Sequence, residues 1–301
     1  MNDSSSAFAE RIMRQMGVLP TSLEVVCRLM LMLRNPSQEN EDVIDTLLLD
    51  RALALQVVHK SKQKEASEGE SDSDASEDVS TQEIREILSR MMLQLGYAPL
   101  LRLVSVLSVQ KILGTELRSY GFDRRELWMH SVLVAIIAKR FCEILSESKR
   151  ENLDPTFAFI AGLMHDIGKA ALNPEMRDHI GAFREDFSEQ SGNWCHFEKK
   201  CCGIDHAAMG GYLLEQWKLP SEIVNAVTFH HAPSKEQKLS SIIHLADYAA
   251  RFVKPPGGFW NLSIPVNADA LDACKLRLVD FERVVIHIAN TREEVEQYAT
   301  A

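Results

Sequence analysis

The chain is 301 residues long, 46% hydrophobic, and carries 33 Lys and Arg against 43 Asp and Glu, a formal net charge of −10. That length and apolar share suffice for one large buried core or two modest ones. No apolar run approaches the length of a membrane span, and a composition without a basic face excludes a general nucleic-acid binder.

Residues 1–16 read as an N-terminal tail. Met1 to Glu10 is Ser-rich and acidic and lacks the basic and apolar regions of a secretory signal. Helical spacing of apolar residues begins after Leu19-Pro20-Thr21-Ser22, runs through Leu29, Met30 and Leu33, and stops at Asn35-Pro36-Ser37. Val43, Ile44, Leu47 and Leu48 mark the next helix, and Leu53, Leu55, Val57 and Val58 continue it or form a short successor. Ser61 to Gln82 then breaks the pattern. Seven acidic residues and no basic one fall between Glu65 and Asp78, so about −3 of net charge remains for the rest of the chain. This segment cannot offset its ordering entropy and is expected to be a disordered acidic loop, a solvated insertion in preference to a phosphorylation or partner-binding segment. Helices resume from Ile84 to about Leu113, and Tyr120-Gly121-Phe122 marks a boundary. Pro255-Pro256-Gly257-Gly258 closes the region that follows, and two short helices are expected between Ala268 and Tyr298. Strand signals are weak throughout, so the expected class is all-α.

Six residues between these two boundaries, His130, His165, Asp166, His206, His230 and Asp247, fall at core-facing helical positions in five segments. Imidazoles and carboxylates are costly to bury without partners, and a divalent cation removes that cost. His130 faces inward on a helix from Glu126 to Leu145. His165 and Asp166 sit on a buried helix from Phe157 to Leu172, flanked by Gly162 and Gly168, whose lack of side chains lets another element approach. Lys169, one turn on, either holds a phosphate oxygen or pairs with an acid at the surface. Asp205 either caps the helix that begins at His206 or supports a ligand histidine. Of the adjacent His230 and His231, His230 shares the face of Ile223, Ala226 and Val227, whereas His231 contacts substrate, holds a third metal, or is exposed. Asp247 is read as a ligand, the alternative being a buried or surface ion pair with Arg251 at i+4. His244 at i−3 either orients Asp247 or, as we prefer, is a core histidine. The six cysteines, Cys27, Cys142, Cys195, Cys201, Cys202 and Cys274, form no C-x-x-C pair. They indicate reduced thiols in a cytoplasmic protein. Cys195, His196, Cys201 and Cys202 lie close together, but their spacing matches no common structural zinc site and they are read as ordinary thiols.

His130, His165-Asp166 and Asp247, with Ala161 to Lys169 as the central helix, resemble the HD superfamily of metal-dependent phosphohydrolases. Leu19-Pro20 with Glu24-Val25-Val26, the helices before the acidic loop, and Gly203-Ile204-Asp205-His206 through Trp217-Lys218-Leu219-Pro220 to His230-His231 resemble the HDOD branch, the HD-related output domain. The likeness covers roughly residues 17 to 252 apart from the loop. It implies an HD-type helical bundle over residues 119–254, an N-terminal helical lobe over residues 17–118 with the loop at 61–82, and a C-terminal helical segment over residues 255–301. Ala232-Pro233-Ser234 stands where HD-GYP cyclic-di-GMP phosphodiesterases carry Gly-Tyr-Pro, which argues against that substrate.

The resemblance implies a bacterial signalling protein with two divalent ions of iron, manganese or zinc, acting as a phosphohydrolase or phosphodiesterase on a nucleotide or other phosphoester. Asp166 is expected to bridge the ions, with His165 beside it. His130 and Asp247 are expected to complete one ion, and His206 and His230 the other. Asp166 and Lys169 are the expected catalytic groups, and His231, Asp205 and Arg251 are expected beside the substrate or behind the ligands. The alternative is a non-catalytic signalling module that binds a partner protein or a nucleotide. Neither reading involves nucleic acid or a membrane.

Overall fold

In a computed structural model of the chain, helices account for the regular structure, and among the described residues there is no strand beyond one isolated antiparallel bridge between Leu117 and Phe122. The structure describes residues 3–16, 20–34, 39–67, 79–122, 125–149, 153–179, 181, 194–253, 266–289 and 298. None of these helices is long and apolar enough to cross a membrane. The chain divides into two compact units, Leu19–Val109 and Met1–Val18 with Gln110–Thr300.

The smaller unit holds α2 (Thr21–Leu33), α3 (Asn40–Leu48), α4 (Arg51–Ser67), α5 (Thr81–Leu95) and most of α6 (Tyr97–Leu113). Its core is built from Leu23, Val26, Leu29, Ile44, Leu47, Val57, Ile84 and Leu88. α4 continues through Ser67 and α5 starts at Thr81, so the loop expected over residues 61–82 is narrower at both ends, and residues 68–78 lie outside the described residues. A capping box explains the start of α5. The Ser80 side chain accepts from the Glu83 amide at 3.2 Å and Glu83 accepts from the Ser80 amide at 2.7 Å. Arg51 bonds the Thr81 hydroxyl at 2.6 Å and the Val79 carbonyl at 2.7 Å, which ties α4 to the far side of the loop. The unit boundary falls inside α6, nine residues before the expected 118/119, because the helix runs on without any sequence break to mark the change.

The larger unit comprises α1 (Asp3–Met16), α7 (Glu126–Lys149), α8 (Pro155–Met164), α9 (Ile167–Met176), α10 (Trp194–Cys202), α11 (His206–Gln216), α12 (Ser221–Thr228), α13 (Lys238–Val253), α14 (Ala268–Cys274) and α15 (Leu278–Ala289). α7 packs on α8 and α13, and α11 packs on α9 and α12. The residues expected to form a tail, 1–16, instead include α1, which packs on α9 and α11. Ala9 and Ile12 are buried there, the Ser5 hydroxyl donates to the Gly203 carbonyl at 2.7 Å, and Arg11 pairs with Glu175 at 3.2 Å. A serine-rich composition hid this single apolar stripe. The two helices expected after Ala268 are present, and they pack on α13 and α7 as part of this unit. Asn35-Pro36-Ser37 and Pro255 to Gly258 lie outside the described residues.

The helix expected from Phe157 to Leu172 is two helices. His165 is the C-cap of α8 and Asp166 the N-cap of α9, with φ −100° and ψ 12°. The glycines beside this break set how closely neighbours approach. A Cβ at Gly162 would lie 2.8 Å from the Ala135 Cα of α7, and one at Gly168 would lie 2.0 Å from the His206 carbonyl oxygen of α11.

Candidate metal centre

The larger unit brings all six expected ligands together, and each is buried. His130 stands one turn into α7. His165 and Asp166 occupy the α8–α9 break, where the His165 Nδ1 donates to the Gly162 carbonyl at 2.8 Å and so fixes the ring. His206 opens α11, His230 follows the C-cap of α12, and Asp247 lies mid-way along α13.

Asp166 is at the centre, and its two oxygens face different partners. Oδ2 lies 3.3 Å from His165 Nε2, 4.0 Å from His130 Nε2 and 2.6 Å from Lys169 Nζ. Oδ1 lies 3.2 Å from His206 Nε2 and 4.0 Å from His230 Nε2. Asp247 Oδ1 lies 3.1 Å from His130 Nε2 and 4.0 Å from His165 Nε2, while its Oδ2 accepts from Arg251 Nη2 at 2.6 Å.

Burial pushes His130 down to about 4 and, together with the neighbouring His165 and His206, pushes His230 down to about 3, so both rings are neutral. Burial alone would raise the two aspartates. His165 and Lys169 instead hold Asp166, and Arg251 and His130 hold Asp247, well below the usual carboxylate range. His206 goes the other way. Burial would lower it, but the Glu198 carboxylate carries it up to about 9.

The donor set fits divalent cations. His165 and His230 each use Nδ1 on a carbonyl, of Gly162 and Val227, which leaves a lone pair on Nε2. Those two Nε2 atoms and the oxygens Asp166 Oδ1 and Asp247 Oδ1 are buried and satisfied by no hydrogen bond of good geometry. Lone pairs thus face lone pairs in a buried space, which is unfavourable unless positive charge sits between them. Two sets, His130 with His165 and Asp247, and His165 with Asp166 and His230, bring one ligand atom each to within 4.8 Å of the others. Ligands about 2.1 Å from an octahedral cation lie about 3.0 Å apart when cis and about 4.2 Å when trans. The separations of 3.1, 3.2, 3.3 and 4.0 Å fall in that range.

Lys169 is not at the surface. It is buried on Asp166, with its ammonium 5.9 Å from the Phe122 ring centroid. Asp205 is a cap, accepting from the Ala208 amide at 2.8 Å and pairing with Lys199 at 2.7 Å. Arg251 stands behind Asp247. His244 does not orient Asp247. Its Nδ1 donates to the His230 carbonyl at 2.8 Å and its Nε2 accepts from the Asn267 amide at 3.1 Å, so it fixes the backbone that carries His230. His231 is partly exposed, its Nε2 2.8 Å from that of His206.

Two residues of the site were missed. Glu198 is fully buried. It accepts from the Tyr120 hydroxyl at 2.9 Å through Oε1, and from both the amide and Nδ1 of His206 at 2.7 Å through Oε2. The signal was its place on the buried stripe of α10, with Trp194, Phe197 and Cys202. Cys195, read as an ordinary thiol, lies with His206 and His231 in a third set of converging ligand atoms. Burial, then Glu198 and Asp205, push its thiol well above the usual range. Of its sequence neighbours, His196 is exposed and Cys202 bonds the Met176 sulfur at 3.6 Å.

The HDOD domain family matches residues 79–233, which include His130, His165, Asp166, His206 and His230 and end before Asp247. Ribonuclease Y of Clostridium kluyveri is 28% identical over 179 residues, 60% of this chain and 25% of that protein. The chain spans about a quarter of the length of the curated relatives it matches. Among solved structures, a candidate phosphohydrolase from Shewanella amazonensis SB2B superposes with a TM-score of 0.68 at 19% identity, covering 98% of this chain and 97% of that one. An HDOD domain protein of unknown function from Geobacter sulfurreducens gives 0.67 at 21% identity, covering 97% and 96%. At these identities the likeness is one of fold.

Proposed function

The chain belongs to the HDOD domain family, and on that premise we propose that it is a two-cation phosphohydrolase or phosphodiesterase acting on a nucleotide or other phosphoester. The observation that carries this reading is the division of Asp166, whose Oδ2 faces His165 and His130 while its Oδ1 faces His206 and His230. A carboxylate placed this way is suited to bridge two ions. His130, His165 and Asp247 would hold one, and His206 and His230 the other. Likeness to a ribonuclease supports the phosphodiester end of the substrate class.

Bound divalent ions of iron, manganese or zinc supply Lewis acidity at a phosphoryl group and make water a better nucleophile near neutral pH. The protein supplies positioning. Glu198 holds the His206 ring by Nδ1, and the carbonyls of Gly162 and Val227 hold His165 and His230. Arg251 restrains Asp247, so each ligand's orientation is fixed from behind. Lys169 brings an ammonium to the centre and is placed to offset charge developing on the phosphoryl oxygens once it leaves Asp166.

The test is elemental analysis of full-length protein purified without chelator or metal-affinity tag, followed by a phosphoester screen. About two equivalents of iron, manganese or zinc, lost in Asp166→Ala, are expected. Lys169→Met is expected to keep both ions and to lose turnover by about 100-fold or more. Protein that neither holds nor takes up metal would overturn the reading and leave a non-catalytic signalling module.

A further inference from the structure

We propose that Cys195, His206 and His231 form a thiolate-bearing cation site of their own, at the rim of the two-ion centre, selective for a borderline-soft divalent ion such as zinc. The three ligand atoms lie within 4.8 Å of one another. They come from the first turn of α10, the start of α11 and the turn after α12, so three separate segments bring donor atoms to one point. The proposal shares His206 with the two-ion centre and to that extent rests on it.

The hydrogen bonds show how the site would be prepared. Glu198 Oε2 accepts from His206 Nδ1, which leaves the His206 Nε2 with a lone pair when the ring is neutral. His231 Nε2 lies only 2.8 Å away, so a proton sits between the two nitrogens. A cation replaces that proton, which leaves to solvent together with the Cys195 thiol proton; His231 keeps its own proton on Nδ1, and both Nε2 atoms then donate to the same ion. Two nitrogens on a tetrahedral zinc lie about 3.3 Å apart. The rings must therefore part by about half an ångström, which His231, partly exposed on a turn, can accommodate. Cys195 is partly exposed as well, so an ion can enter from solvent without opening the core.

A set of two imidazoles and one thiolate is a softer site than the neighbouring carboxylate-rich pair. It favours zinc or cobalt over manganese or magnesium and leaves a fourth position open to water or a ligand. One lone pair on His206 serves one ion at a time. Filling the rim site therefore takes His206 from the ion held by Asp166 Oδ1, 3.2 Å away. Zinc at the rim then competes with the second ion of the pair.

Cobalt titration of the chelator-stripped full-length chain tests this. A thiolate-to-cobalt charge-transfer band in the near ultraviolet is expected, absent from Cys195→Ser at the same cobalt concentration and kept in Asp247→Ala. Cobalt binding without that band, or its persistence in Cys195→Ser, overturns the rim site and leaves the two-ion reading standing. The band with a cobalt count unchanged by Asp247→Ala upholds the rim site and counts against the two-ion reading. Should Cys195→Ser fail to fold, the wild-type chain serves. Alkylation of Cys195 by iodoacetamide, read by peptide mass, is expected to slow by about tenfold or more with added zinc, and an unchanged rate overturns the proposal.

Discussion

Replacing Glu198 by Gln would remove one charge from the centre of the site and little else. The amide carbonyl can take the place of Oε2 and keep both His206 bonds, and the Tyr120 hydroxyl can turn to accept from the amide nitrogen. Bonds to a charged acceptor contribute about 1.5–3 kcal/mol and neutral ones about 0.5–1.5, so three bonds put the loss at about 3 kcal/mol. Linkage gives a similar figure. Against the opposing effect of burial, Glu198, joined by Asp166, carries His206 from 6.5 up to about 9, and a shift of that size is worth about 3 kcal/mol, most of it from Glu198. Because the folded value lies above the unfolded one, the pair's contribution is full below 6.5 and is lost as pH rises through about 9. Urea unfolding of chelator-treated protein should therefore show Glu198→Gln about 3 kcal/mol less stable than wild type at about pH 6, with the gap narrowing by about pH 10 as the ion-pair share is lost. An equal deficit at both pH values would refute the argument, since it would locate the cost in packing and not in the ion pair.

Arg251→Met is expected to cost about 3–5 kcal/mol in chelator-treated protein, because it strands the buried Asp247 carboxylate, and clearly less with saturating metal, where a cation takes over the neutralisation. Thermal melts with and without metal read that difference, and equal losses would count against Asp247 as a ligand. Gly168→Ala places a Cβ 2.0 Å from the His206 carbonyl and 2.8 Å from the Gly210 amide, both backbone atoms. A loss of about 2–3 kcal/mol in urea unfolding is expected, together with weaker metal retention, while Gly181→Ala, with open space around it, should be neutral.

The convergence of the six candidate residues and the all-helical class were legible because a polar group on an apolar helical stripe stands out in one dimension. Gly162 and Gly168 were legible for a related reason, as gaps in otherwise bulky neighbours. Glu198 was not. It sits among two lysines and two cysteines, and its partners are 78 and 8 residues away, so only its helical spacing from Trp194 and Cys202 sets it apart from a solvated acid. The break between α8 and α9 was hidden because the stretch is apolar on either side of His165-Asp166 and carries no proline there, so Asp166 reads as one polar position on a continuous helix and not as a cap. α1 was lost to its serines. Cys195 was judged by its spacing to other cysteines, whereas its neighbours in space are histidines from two later segments.

The buried charges of the centre cancel before any ion arrives. Asp166, Asp247 and Glu198 carry three negative charges, and Lys169, Arg251 and a protonated His206 carry three positive ones. An electrically balanced pocket exerts little pull on an anion in solution. Two divalent ions would displace the His206 proton and leave an excess of three positive charges in a medium that screens them poorly. Electroneutrality then calls for an anion, and a phosphoester with an activated water would meet that need. Affinity for the anion would thus be conferred by the cations and withdrawn with them, and the centre would act as a conditional anion receptor gated by metal supply.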